Sequence, residues 1–251
     1  NVVTLSDDLG AAVTGTPRPF RLEIGDGTTI TLPNGATLAA SYTRLAGKQA
    51  EVFTKEVQNG LLLGESSDKI ARRLRRQLTA VPNNQIRAMV RTSVNQVANA
   101  ASQAVYSQNQ EITNRYRYIA TLDSRTSAIC RALDGRTFKY NEGPTPPQHF
   151  NCRSTTVPIV DYEGLGIPPP KPGKRRSSGG LVPANQTYGQ WLFDQSKEVK
   201  ADVLGVKQVP YFNMLSRKYG PSVAIRKFVS ADGTEVTLQE LQRRYPDVKR
   251  S

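Results

Sequence analysis

The stretch Thr121-Leu122-Asp123-Ser124-Arg125-Thr126-Ser127-Ala128-Ile129-Cys130-Arg131-Ala132-Leu133-Asp134-Gly135 and its continuation Pro146-Pro147-Gln148-His149-Phe150-Asn151-Cys152-Arg153 organise the reading of this chain. Tyr116 to Leu122 alternates in polarity and predicts a strand. A short capped helix follows, with Asp123 as the capping residue, and the chain leaves it at Asp134-Gly135. Pro144, Pro146 and Pro147 then make an irregular loop that presents His149 and Cys152. A strand, a helix and a rigid loop within forty residues mark a compact α/β motif.

Upstream, helical periodicity dominates. Ile86, Val90, Val94, Val97, Ala101 and Val105 stand 4, 4, 3, 4 and 4 residues apart, which predicts one long helix from about Asn84 to Gln108 with a single buried face. Its other face is rich in amides: Gln96, Asn99 and Gln103. Before it, Ser66 or Ser67 can cap a helix striped by Ile70, Leu74 and Leu78 and broken by Pro82. Leu38, Tyr42, Leu45, Val52, Phe53 and Val57 predict a further helix that stops near Asn59-Gly60. Phe20 to Thr37 read as strands around the turns Gly25-Asp26-Gly27 and Pro33-Asn34-Gly35, which makes 1–37 a β-hairpin-like segment.

Downstream, Pro168-Pro169-Pro170-Lys171-Pro172-Gly173-Lys174-Arg175-Arg176 reads as a linker or extended basic arm. Trp191, Leu192, Gln195 and Val199 begin a helix ending near Gly205. Arg226 to Ser230 read as a strand, Asp232-Gly233 as a turn, and Thr237 as the cap of a last helix, Leu238 to Arg244. The expected architecture is α+β: an N-terminal segment at 1–37, a helical region at 38–110, a motif domain at 111–162, a basic Pro-rich arm at 163–185 and a small C-terminal α/β region at 186–251.

The central run resembles the signature of the Mu-F-like phage head morphogenesis family. That signature is a strand ending in Thr-x-Asp-x-Arg-Thr, a Cys-x-x-Cys helix, a Leu-x-Gly turn and a Pro-Pro-x-His-x-x-Cys-Arg-Cys loop. Asp123, Arg125, Thr126, Cys130, Leu133, Gly135, His149, Cys152 and Arg153 fit it. Ser127 and Ser154 depart from it, standing where the first and last cysteines would be. Arg91-Thr92 in the long helix and Tyr188-Gly189-Gln190-Trp191-Leu192 in the tail extend the likeness to roughly Ile70 to Leu241. The resemblance implies a minor capsid protein inside the virion head, assembled in the host cytoplasm. It implies a few copies per particle, portal or major capsid protein as partner, and packaged double-stranded DNA nearby.

The residues also allow other chemistry. Cys130, His149 and Cys152 are usual zinc ligands, but a structural site needs four. Three alternatives stay open: zinc completed by Asp123 or water, a metal-free hydrogen-bonded motif, or a Cys130–Cys152 bridge. The metal-free reading is favoured, because serines replace two sulfur positions. Asp123 and Arg125 pair as a catalytic acid and an anion binder only in residue type; a helix cap and an ion pair are the simpler roles. Cys130 with His149 is a nucleophile–base pair in name alone, with no orienting third group. No phosphate-cradling Gly-rich loop and no His-Glu-x-x-His helix occurs. The sequence therefore points away from an enzyme, a cofactor or a small-molecule substrate.

Charge gives the remaining lead. The chain carries 34 Lys and Arg against 21 Asp and Glu, a net charge of +13, which favours polyanionic partners. Arg72, Arg73, Arg75, Arg76, Arg87 and Arg91 lie on consecutive helices, with Glu65 and Asp68 as the few nearby acids. With Lys174, Arg175 and Arg176 of the arm, they are the expected contacts to DNA or portal. The two cysteines do not suggest a disulfide-built secreted scaffold, and no 18-residue apolar run suggests a membrane span. The opening Asn1-Val2-Val3 has neither a starting methionine nor a signal pattern, as in a fragment of a longer protein. A phage-delivered effector enzyme and a plain DNA-binding module are the rival classes. The short tail after Gly180, which has no histidine, argues against the first.

Overall fold

The computed structural model describes residues 48–140, 142–231 and 233–246. The strands expected in 1–37, and Leu38, Tyr42 and Leu45 of the first expected helix, lie outside the described residues. The chain divides into two compact units, one ending at Asn114 and including His149–Cys152, the other holding Arg115–Gln148 and everything from Arg153.

The first unit is helical: Lys48–Leu62 (α1), Ser67–Gln77 (α2) and Asn83–Gln108 (α3). Phe53 and Val57 of α1, Ile70, Leu74 and Leu78 at α2, and Ile86, Met89 and Val90 of α3 form its core. Ser66 caps α2, its hydroxyl accepting from the Lys69 amide. Asn59-Gly60 does not stop α1 as expected. Gly60 is a buried helical residue, and a Cβ there would lie 2.4 Å from Ile70 Cδ1, so it lets α2 approach closely.

The apolar face expected along α3 holds only in its first turns. Ile86 and Val90 are fully buried, whereas Val94, Val97, Ala101 and Val105 are half-buried. The buried positions after Val90 are polar: Thr92, Ser93 and Asn99. Asn99 was expected on an exposed amide face, but its amide donates to Asn95 O of its own helix at 2.8 Å. Thr92 donates to Ala88 O and accepts from the Asn151 amide at 3.0 Å. Asn151 sits at φ 58°, a left-handed conformation that asparagine tolerates better than most side chains.

The second unit is α+β. Strand Thr113–Ile119 (β1) is central in a three-stranded sheet between Thr137–Lys139 (β2) and Thr155–Val160 (β3). Tyr116 and Tyr118 alternate inward on β1, and Tyr116 packs on Phe138 and Tyr140 at 5.7 and 5.9 Å between ring centres. The strand ends three residues earlier than expected; Leu122 makes an isolated parallel bridge to Ser177. Helix Ala128–Leu133 (α4) lies between β1 and β2. The extended arm is corrected in part: Lys174–Ser177 (β4) and Gly180–Pro183 (β5) pair as an antiparallel hairpin.

Helices Tyr188–Phe193 (α5), Lys197–Leu204 (α6), Val209–Tyr219 (α7), Pro221–Ala224 (α8) and Leu238–Arg244 (α9) complete the unit. The single helix expected from Trp191 to Gly205 is two, because Ser196 caps a fresh start by accepting from the Val199 amide. Arg226 to Ser230 is not a strand. Ile225–Phe228 is a 3₁₀ turn that buries Ile225 and Phe228, and Val229 alone bridges to Glu235. Helix α9 starts at its Thr237 cap as expected. Leu122 shares one core with Tyr188, Trp191, Leu192, Phe212, Leu215 and Leu241, so the motif run and the C-terminal helices pack together. Among the described residues, no helix is long and apolar enough to cross a membrane.

Gly189 fixes how α5 meets α8. A Cβ at this position would lie 2.2 Å from the Pro221 carbonyl oxygen, which is backbone and cannot step aside. Gly189→Ala is expected to destabilise the second unit by about 1–3 kcal/mol, the usual cost of overpacking, read as a lower urea midpoint. A gain in stability, as glycine replacement in an open helix would give, would contradict this packing.

Candidate functional site

Arg125, Thr126 and Arg153 of the central run are brought together around the Asp123 carboxylate. Asp123 does not cap α4; Ser127 occupies the N-cap without a side-chain bond. Instead Asp123 closes the preceding turn. Its Oδ1 accepts from the Arg125 amide at 3.1 Å and lies 3.1 Å from the Thr126 hydroxyl, which also bonds Thr121 O at 2.6 Å. Arg153 grips it with both guanidinium nitrogens, at 2.5 and 2.8 Å. Burial pushes the Asp123 carboxyl up, but the Arg153 bonds and charge, the Thr126 hydroxyl and the Arg125 amide outweigh it and hold it below its ordinary value. The Arg125 guanidinium pairs with Asp123 at 3.6 Å while staying exposed.

Asp134, read from sequence only as the end of a helix, is the second node. Its side chain is wholly buried. It accepts from the backbone amides of Ala120 (2.6 Å) and Tyr188 (2.7 Å) and from Arg175 at 2.9 and 3.2 Å. Arg175 also donates to Ala120 O and Gln186 O. Its expected role as a free basic contact is therefore corrected: strand alternation turns Arg175 inward and leaves Lys174 and Arg176 outside. Tyr188 joins the two nodes, because its hydroxyl donates to Asp123 O at 2.8 Å while its amide serves Asp134. Arg131 was also missed. It is buried, donating to Val203 O at 2.8 Å and pairing with Glu235.

Both cysteines are buried and neither is in a disulfide, so the bridged alternative is not realised. Cys130, in the second unit, has its sulfur 3.2 Å from the Tyr118 hydroxyl, within hydrogen-bonding range. In the first unit, the Cys152 amide donates to His149 O at 3.2 Å, and His149 Nδ1 lies 2.8 Å from Phe150 O. Leu133 is buried, and Gly135, at φ 77°, donates its amide to Tyr118 O.

The basic helical face is smaller than its six arginines suggested. Arg73 is half-buried and pairs with Glu65 and with Glu56, an acid from α1 that the local sequence around Arg73 did not suggest. Hydrogen bonds from Gln77 and Arg73 hold the Glu56 carboxyl below its usual range. Arg87 and Arg91 share Asp68 at 3.2 and 3.4 Å. Arg72, Arg75 and Arg76 stay exposed, with no ion pair among the described residues.

Two measurements check this arrangement. Arg175→Ala leaves a carboxylate buried without its cation and is expected to cost about 3–5 kcal/mol in chemical denaturation. Arg175→Lys should recover only part, because an ammonium lacks the planar fork. For Asp123 the folded carboxyl titrates below the unfolded one. Its stabilisation is present above about pH 4 and is lost as pH falls through the lower folded value. Asp123→Asn should therefore lower stability at neutral pH and flatten the acid limb of the stability–pH curve; an unchanged limb would contradict the Arg153 pairing.

Residues 51–157 match a family model described as Phage Mu protein F like protein. No curated protein and no solved structure matches the chain. The matched stretch runs from α1 into β3 and contains both members of the Asp123–Arg153 pair, the Asp134 carboxylate, and the two cysteines with His149. Residues 51–157 therefore constitute a Phage Mu protein F like domain.

Proposed function

We propose that this protein is a minor capsid component of a bacteriophage, held inside the head at the portal or capsid shell and close to the packaged DNA. The observation that carries the reading is the family match over residues 51–157, because this family is one of phage head morphogenesis. The geometry supports a structural role. Asp123, Thr126, Asp134 and Arg153 are engaged in holding turns and strands. The portal, the major capsid protein and double-stranded DNA are the partners this reading names.

The exposed trio Arg72, Arg75 and Arg76 favours an anionic contact from the helical unit. Like charges clustered on one helix repel each other unless a partner or counterions absorb the field. DNA phosphates or an acidic portal surface would do so.

Quantitative mass spectrometry of purified virions tests the assignment. A few copies per particle are expected; absence, or hundreds of copies, would overturn it. Arg72→Gln, Arg75→Gln and Arg76→Gln combined should leave the fold intact. In a titration of duplex DNA, the combination should reduce the slope of log affinity against log salt by about 2–3. An unchanged slope would move the trio's contact to a protein partner.

A further inference from the structure

From Val203 to Ala231 the chain contains no aspartate or glutamate, yet it carries Lys207, Arg217, Lys218, Arg226 and Lys227. Two of these cations, Lys218 and Lys227, come together through packing, and Arg217 and Arg226 are their chain neighbours. Helix α7 buries Val209, Phe212 and Leu215, and the 3₁₀ turn after α8 buries Ile225 and Phe228. Phe212 meets Phe228 edge-on at 6.0 Å, which pins the two elements to each other. Their polar sides are thereby left outward: Arg217, Lys218, Tyr219 and Arg226 are exposed and Lys227 is half-buried. Tyr219 gathers the charges, with the Lys227 ammonium 4.7 Å and the Lys218 ammonium 5.3 Å from its ring centre. None of these cations has an ion pair among the described residues.

We propose that Lys218 and Lys227, which flank Tyr219, together with the adjoining exposed Arg217 and Arg226, form a contact surface for the phosphate backbone of nucleic acid, bound without regard to sequence. Two features favour a phosphate backbone over an acidic protein. Protein interfaces centre on an apolar core depleted of charge, whereas this patch is rich in cations and its exposed ring already faces two ammonium groups. Lysine, arginine and tyrosine are also the side chains that meet phosphate oxygens, where position matters and base identity does not. The surface lies outside residues 51–157 and is separate in sequence from the arginines of α2. It does not rest on the head assignment, which virion copy number tests independently.

The test uses the full chain and a random-sequence DNA duplex, followed by fluorescence anisotropy from about 50 to 200 mM salt. Neutralising Arg217, Lys218, Arg226 and Lys227 together as glutamines should lower the slope of log affinity against log salt by about 3–4, and the affinity roughly tenfold or more near 0.1 M salt. Because Lys227 is half-buried, circular dichroism and a thermal midpoint check that the variant folds. The charge-keeping pair Lys218→Arg and Lys227→Arg should bind as the wild type does. The proposal is overturned if the glutamine variant folds and keeps the wild-type affinity and slope, or if the wild type shows no salt-dependent binding. Binding of poly-glutamate but not of DNA would overturn it too, and would assign the surface to an acidic protein.

Discussion

The second unit depends on compensating one buried carboxylate. Asp134 has no exposed side-chain surface, and an ionised carboxylate in that setting is unfavourable unless cation and hydrogen-bond donors surround it. Its donors come from three places far apart in sequence: the Ala120 amide after β1, the Arg175 guanidinium on β4 and the Tyr188 amide at the start of α5. Satisfying one side chain thus fixes where the hairpin and the C-terminal helices meet the motif run. Leu122 can then enter the core with Trp191 and Leu215, and Tyr188 can reach Asp123. The polar node specifies the arrangement, and the apolar cluster around it supplies most of the driving force.

A second consequence concerns the positive charge. The net +13 is not spread evenly over equivalent cations. Arg73, Arg131, Arg153 and Arg175 are committed to carboxylates or carbonyls within the fold, where the planar guanidinium can make several directed bonds at once. Arg72, Arg75 and Arg76, like the cations around Tyr219, lack such partners among the described residues. Their positions face outward because the opposite sides of their helices are buried: Ile70 and Leu74 in one case, Phe212 and Leu215 in the other. Hydrophobic periodicity therefore decides which arginines remain open.

Much of this was legible in the sequence where local rules govern. The caps at Ser66 and Thr237, the extent of α3 and the alternation of Tyr116 and Tyr118 follow from short-range patterns, and the structure keeps them. The failures have tertiary causes. Gly60 reads as a helix end, yet it is held inside α1 because Ile70 needs the space. Arg175 sits in a Pro- and Gly-rich run that reads as an open arm; its partner Asp134 lies 41 residues away and gives no local sign. Glu56 likewise neutralises Arg73 from another helix, 17 residues upstream. Asn99 looks like part of a polar face, but it is buried and its amide back-bonds to Asn95 of the same helix. Helix α7 carries Pro210 in its first turn, where proline is tolerated because its missing amide hydrogen has no partner to lose.

The recognisable pattern and the functional surfaces also differ in what they demand of sequence. A brace such as Asp123 with Arg153 works only with one carboxylate and one guanidinium in a fixed geometry, so its residue types and spacings are tightly specified and can be read as a motif. A surface that meets phosphate or an acidic patch needs positive charge at roughly the right density, and lysine or arginine at neighbouring positions serves about equally. Such a surface leaves little signature beyond a lack of acids, as between Val203 and Ala231. The motif run therefore marks the scaffold of the domain, and contacts with partners are to be sought among the side chains that the scaffold leaves outside.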